Sequence, residues 1–157
     1  MKLKLLCVGK TNFSFLHEGE KEYQTRLTHY CNFERVDIPE LKNVKSFSVD
    51  QIKNKEGLLI LSKLQTTDYL ILLDEKGESY PSALFASSLE KKMLQGKNSL
   101  VFVIGGAYGF SSSVYDRANE LISLSKMTFS HQMVRMIFLE QLYRSFTIMK
   151  GEKYHHC

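Results

Sequence analysis

Ser99-Leu100-Val101-Phe102-Val103-Ile104 runs straight into Gly105-Gly106-Ala107-Tyr108-Gly109. The run is β-branched, aromatic or leucine from Leu100 on, with no polar alternation. That pattern reads as a strand buried on both faces, the kind found inside parallel sheets. Tyr69-Leu70-Ile71-Leu72-Leu73 repeats it, then enters Asp74-Glu75-Lys76-Gly77, which reads as a polar turn. Working outward, Lys2–Val8 reads as a strand stopped by Gly9, Phe33–Ile38 as one closed by Pro39, and Leu121–Leu124 as a short fifth. Helical patterns separate them. One covers Ser14–Tyr30. Ser48 and Gln51 form an S-x-x-Q capping box that opens another, to about Leu64. A third starts at Pro81 or Ser82 and stops at Gly96. Ser113 with Asp116 reads as a second capping box, and His131–Met149 is a long last helix ended by Gly151. Strand and helix alternate throughout. The expected fold is α/β, one domain over residues 1–157, with a parallel sheet covered by helices on both faces.

Composition narrows the function classes. With 21 Lys+Arg against 17 Asp+Glu, the net charge of +4 is too small to name a polyanionic partner. Ten Phe and eight Tyr against two Pro exclude a disordered chain. No apolar run approaches the ~20 residues of a membrane helix, and the apolar part of the start is too short for a secretory signal. Cys7, Cys31 and Cys157 are odd in number and form no C-x-x-C, so free thiols in a reducing cytoplasm are expected. The five histidines show no ligand spacing. His155-His156-Cys157 reads as a solvated end, so no metal is expected.

In sheets of this kind, ligands bind outside the carboxyl ends of the strands. Three loops qualify: Leu73-Asp74, Gly105–Gly109 and Ser125–Ser130. Gly105-Gly106-x-x-Gly109 lacks the dinucleotide spacing and the Lys-Ser/Thr of a phosphate loop, so it reads equally as a tight turn or a ligand loop. Thr128 and Ser130 read as helix caps, and His131 as a structural hydrogen bonder. The last helix is apolar around nearly its whole circumference, from Met133 to Met149. One sheet face needs only a stripe somewhat over ~100° wide. A second packing surface is therefore expected. A homodimer interface fits better than a larger core, and it places Arg135 and Arg144 near a subunit boundary.

Four segments taken together resemble one family: Gly105–Gly109, Leu124-Ser125-Lys126-Met127-Thr128-Phe129-Ser130-His131-Gln132-Met133-Val134-Arg135, Glu140–Arg144 and Gly151–His155. It is the ribosomal large subunit methyltransferase H family of the SPOUT superfamily. Lys4–Lys10 and the overall length match too. The resemblance implies an S-adenosylmethionine-dependent enzyme that methylates N3 of a pseudouridine in large-subunit (23S) ribosomal RNA. It implies action on the assembled ribosome, as a homodimer, in the bacterial cytoplasm. It also implies a C-terminal trefoil knot over about residues 69–157, a topology the general connection rules would exclude. On the family pattern Leu73, Gly105, Leu124, Ser125, Lys126, Met127, Thr128 and Phe129 contact the cofactor, largely through main-chain groups. Tyr154, His155 and Arg144 become the candidates for chemistry at the base. Arg144 reads equally as a structural salt bridge. Arg135, Arg144, Lys153 and His156 become candidates for contacting RNA, with Lys126 and Lys150 nearby. A sulfonium donor is already electrophilic, so no metal is implied. Two positions depart from the family: Ser130 replaces its usual Pro, which would preset φ, and His156 replaces Arg or Lys. Two rivals remain. One is a flavodoxin-like nucleotide- or phosphate-binding module built on Gly105–Gly109. The other is a non-catalytic ribosome-binding dimer.

Overall fold

A computed structural model describes residues 1–156. Cys157, the third of the three thiols, lies outside the described residues. The elements are β1 (Lys2–Val8), α1 (Ser14–Leu27), β2 (Asn32–Ile38), a 3-10 turn (Val44–Ser46), α2 (Val49–Leu61), β3 (Tyr69–Ser79), α3 (Ser82–Leu94), β4 (Ser99–Ile104), α4 (Ser112–Arg117), β5 (Glu120–Ser123) and α5 (Met133–Met149). The five strands form one sheet in the order β2-β1-β4-β3-β5. Every pairing is parallel. The expected α/β sheet with helices on both faces is what the chain adopts.

Side-chain alternation divides the core in two. Leu3, Leu5, Cys7, Ile71, Leu100, Phe102, Ile104 and Ile122 face α1, α3 and α5, meeting Leu27, Leu89, Phe138, Leu139 and Phe146. Leu6, Val8, Leu70, Leu72, Val101 and Val103 face α2 and α4, meeting Ile60 and Val114. β4 lies at the centre and is buried along its whole length, as its unbroken apolar run requires. Cys7 is buried in the first core, which pushes its thiol up to about 11 despite the nearby Arg35 and Arg135. It is an inert packing residue.

Local signals account for the ends of most elements. Ser48 Oγ accepts the Gln51 N–H at 3.2 Å, and Gln51 Oε1 accepts the Ser48 N–H at 2.9 Å. Gly96, after α3, sits at φ +71°. Three expectations change. First, α4 has no capping box: Ser111 precedes it without a side-chain cap, and its Oγ meets Ser113 Oγ at 3.0 Å instead. Second, α5 begins at Met133, not His131. Third, β3 does not stop at Leu73. Ile122 of β5 pairs with both Leu73 and Glu78, so Asp74–Gly77 bulges out between two stretches of one strand. The polar residues leave the ladder and Glu75 and Lys76 are exposed, but the strand resumes to Ser79.

The packing of α5 also differs from expectation. The chain itself supplies its two neighbours, α1 on one side and α3 on the other. No residue from Met133 to Met149 is exposed. The apolar circumference of α5 is therefore used largely within one chain and does not by itself require a second one.

At Gly77 the backbone of β3 lies close against that of β5. A Cβ there would lie 2.5 Å from Ile122 N and 2.6 Å from Leu121 C, both main-chain atoms. Neither can yield without breaking the pairing. We expect Gly77→Ala to cost about 3 kcal/mol or more in urea unfolding, at the upper end of overpacking penalties. Gly96→Ala meets nothing within 4 Å and should lose only about 1–2 kcal/mol, for its left-handed backbone.

Candidate active site

The order β4-β3-β5 sets three carboxyl ends side by side, and the loops leaving them enclose a cavity of about 390 Å³. Leu73 and Asp74 line it from β3, Gly105–Gly109 from β4, and Leu124, Ser125, Met127, Thr128 and Phe129 from β5, with His131 beyond. Lys126, exposed in the same loop, is not among the lining residues. The volume lies within the usual range for small-molecule sites.

The glycine segment turns tightly and also lines the cavity. Gly109 N–H donates to Gly106 O at 3.2 Å and Gly109 has φ +80°, so the segment turns tightly. It is also cavity wall. A Cβ on Gly105 would come within 3.0 Å of the buried Phe110 ring, and one on Gly106 within 2.8 Å of the Glu56 carboxylate. Burial, and then the nearby Glu40, raise the Glu56 carboxyl above its ordinary range.

The Leu124–His131 loop is held at its ends. Ser123 Oγ donates to Ser125 O at 2.9 Å, and Ser125 Oγ accepts the Met127 N–H at 2.9 Å. Ser130 accepts the Met133 N–H at its Oγ and the Val134 N–H at its carbonyl, at 3.1 and 3.0 Å. Ser130 therefore does a cap's work just ahead of α5. Gln132 Oε1 accepts the Asn12 N–H at 2.8 Å, tying the loop's far end to the β1–α1 connection. Among the described residues, the N–H groups of Lys126, Thr128 and Phe129 donate to no protein acceptor. Unused main-chain donors beside glycine walls suit a ligand with polar heterocycle edges and little need of charge.

Sequence reasoning placed Asp74 in a loop and missed Tyr115 altogether. Tyr115 O–H donates to Asp74 Oδ2 at 2.5 Å, and both residues line the cavity. Burial and that carboxylate raise the Tyr115 phenol far above its usual value, so it stays protonated. The only available signal was an Asp directly after a buried strand run.

The C-terminal candidates form a second cluster that does not border the cavity. Glu140 Oε1 accepts from Arg144 Nε at 3.1 Å, Arg144 Nη2 at 2.5 Å and Tyr154 O–H at 3.0 Å. Arg144 lies over the Tyr154 ring, 4.8 Å from its centroid, and the same ring packs edge-on against Tyr143. Arg144 Nη1 meets His155 Nδ1 at 3.2 Å. Arginine only donates, so Nδ1 accepts and the proton of neutral His155 sits on Nε2. Burial, then hydrogen bonds with Tyr23 and Glu140, raise the Tyr154 phenol. The cluster lies well down α5, since Arg144 is roughly 16 Å of helix rise beyond Met133. Lys153 and His156 are exposed beside it. Within one chain, Arg144 makes the salt bridge that was one of its two readings.

Arg135 does not reach the surface. It is 0% exposed, and its guanidinium donates to Val8 O at 2.7 Å, Gly9 O at 3.0 Å and Thr11 Oγ1 at 3.1 Å. The expected contact with RNA phosphate is corrected on this ground: a side chain with no accessible surface in its own chain reaches no phosphate. It instead fastens the start of α5 to the end of β1. The spacing held the signal, because Phe138, Leu139 and Leu142 follow Arg135 at three, four and seven positions and put it on the buried stripe.

Comparison with known proteins agrees with this arrangement. A family model described as "Predicted SPOUT methyltransferase" matches residues 1–155. The chain belongs to the SPOUT methyltransferase family. Relatives at this level include proteins named Ribosomal RNA large subunit methyltransferase H from Parabacteroides distasonis and Cytophaga hutchinsonii. Each is 56% identical over 156 residues, covering 99% of this chain and 99% and 100% of theirs. The protein of that name from Flavobacterium johnsoniae is 54% identical over 99% of both chains. Among the described residues, no helix is long and apolar enough to cross a membrane, and no group of three or more His, Cys, Asp and Glu is placed to hold a metal.

The Arg135 contacts give a direct test. Arg135→Met keeps length and apolar stem but strands the Val8 and Gly9 carbonyls. We expect a loss of about 3 kcal/mol or more, read as a lower urea midpoint with unchanged slope.

Proposed function

We propose that this SPOUT methyltransferase transfers a methyl group from S-adenosylmethionine to N3 of a pseudouridine in large-subunit ribosomal RNA, on the assembled ribosome in the bacterial cytoplasm. The observation that carries this is the convergence of Leu73, Gly105, Leu124, Ser125 and Met127–Phe129 on one cavity, in a chain 56% identical to proteins named for that RNA. The cavity fits the donor: glycine walls, free main-chain donors and a volume of about 390 Å³. When bound, the donor supplies an electrophilic methyl carbon, so the pocket needs no metal. We propose a trefoil knot over about residues 69–157. We also propose that the working unit is a homodimer.

The dimer follows from separation within one chain. The three loops form the cofactor pocket, while Arg144, Tyr154 and His155 gather well down α5, away from it. A second copy brings one chain's cluster to the other's pocket. There Arg144 holds a phosphate or a uracil carbonyl. His155, its Nδ1 facing Arg144, presents Nε2–H to the base, and Tyr154, whose O–H is committed to Glu140, holds Arg144 against its ring. That favours positioning of the base over acceptance of its N3 proton. N3 then gives its proton to solvent water as the nitrogen–carbon bond forms and the carbon–sulfur bond breaks, and in-line alignment of the three atoms is the main catalytic contribution. Lys126, Lys150, Lys153 and His156 supply the nearby phosphate contacts, which are few, so the shape of the ribosome carries the specificity.

Ribosomal RNA from a strain lacking the gene, analysed by mass spectrometry, should lack one methyl group on a large-subunit pseudouridine. Re-expression should restore it. Unchanged methylation in the deletion strain contradicts the assignment and favours a non-catalytic ribosome-binding dimer.

A further inference from the structure

One polar pair in the cavity wall has no part in the assignments above. Asp74 ends the buried run of β3, and Tyr115 stands on α4. Both line the cavity. The carboxylate is held at each oxygen by a neutral donor: Tyr115 O–H on Oδ2 at 2.5 Å, and the Lys76 main-chain N–H on Oδ1 at 2.8 Å. These hydrogen bonds fix its direction, and the raised phenol of Tyr115 guarantees that the donor keeps its proton.

What Asp74 lacks is a cation. Among the described residues it makes no salt bridge. Lys53 and Lys76 also line the cavity, but the Lys76 ammonium lies over the Tyr115 ring, 5.8 Å from its centroid. Glu75, beside Asp74, adds a second negative charge at the rim and is exposed. The pocket thus holds one fixed, half-buried carboxylate with both oxygens oriented and no internal positive partner.

We propose that Asp74 is a specificity-determining residue that selects for positive charge on the small molecule in this pocket, with Tyr115 as its positioning residue. The proposal rests on the cofactor assignment above and deepens it. S-adenosylmethionine carries two such charges, the sulfonium and the α-ammonium. S-adenosylhomocysteine keeps only the ammonium, and methylthioadenosine has neither. A carboxylate that reads charge separates these three ligands. A carboxylate that merely staples α4 to β3 does not.

Calorimetry of the wild-type chain, Asp74→Asn and Tyr115→Phe with all three ligands tests this. We expect Asp74→Asn to weaken S-adenosylmethionine about tenfold or more, the scale of a hydrogen bond to a charged group, and to leave methylthioadenosine nearly unchanged. Tyr115→Phe should shift the same ratio in the same direction, by less. The ratio is read on the folded fraction, so lost stability cancels. Joint loss of S-adenosylhomocysteine assigns the contact to the ammonium; its retention assigns it to the sulfonium. Equal weakening of all three ligands, or unchanged binding of S-adenosylmethionine, overturns the proposal. If the wild-type chain binds none of the three, the cofactor assignment fails first and takes this one with it.

Discussion

The contact on which the rest depends is the closure of β5 onto β3. Ile122 pairs with Leu73 before the Asp74–Gly77 bulge and with Glu78 after it, and only a glycine at position 77 lets the two backbones lie so close. That closure fixes where β5 ends. The end of β5 fixes where the Leu124–His131 loop begins, beside the carboxyl ends of β3 and β4. The cavity is a consequence of strand order, and its polar rim is the material expelled from the ladder by the bulge.

The far end of the same loop is fixed by different chemistry. Arg135 reaches from the first turn of α5 to the last carbonyls of β1, and Gln132 accepts from Asn12. Thr11, which Arg135 also contacts, donates to Glu20 at 2.9 Å, and Glu20 is paired with Arg35. A buried polar network of this kind is costly unless each member is paired. Its position explains its presence: it joins α1, β1, β2 and α5 at the far end of the Leu124–His131 loop. The loop is left exposed and lightly bonded between two firm anchors, the arrangement expected of a segment that must meet a ligand.

Much of this was legible in residues 69–73 and 99–109, where unbroken apolar runs require a sheet covered on both sides and glycines mark its working edge. The capping box at Ser48 was legible for the same local reason. What escaped was non-local. The continuation of β3 past Leu73 is polar and is held only by a four-residue edge strand, so no periodicity announces it. Arg135 carries a charge that suggests the surface, while its neighbours on the helix place it in the core. Tyr115 matters because α4 packs beside the end of β3, which no spacing rule foretells. The separation of the Arg144–Tyr154–His155 cluster from the cavity is likewise a matter of helix length and tail path. The proposed knot comes from family resemblance alone, while the proposed partner copy was suggested by the apolar circumference of the last helix as well.

In the proposed dimer that separation makes the site a property of two chains, and mixed dimers test it most directly. Thr128→Trp fills the pocket from an exposed loop position and leaves the tail intact. A chain ending at Gly151 keeps the pocket and loses Tyr154 and His155. Each alone should fail to methylate large ribosomal subunits. Co-refolded, they should regain activity, because the mixed dimer contains one sound pocket facing one sound tail. Two variants that still dimerise yet stay inactive together would contradict a site shared between chains.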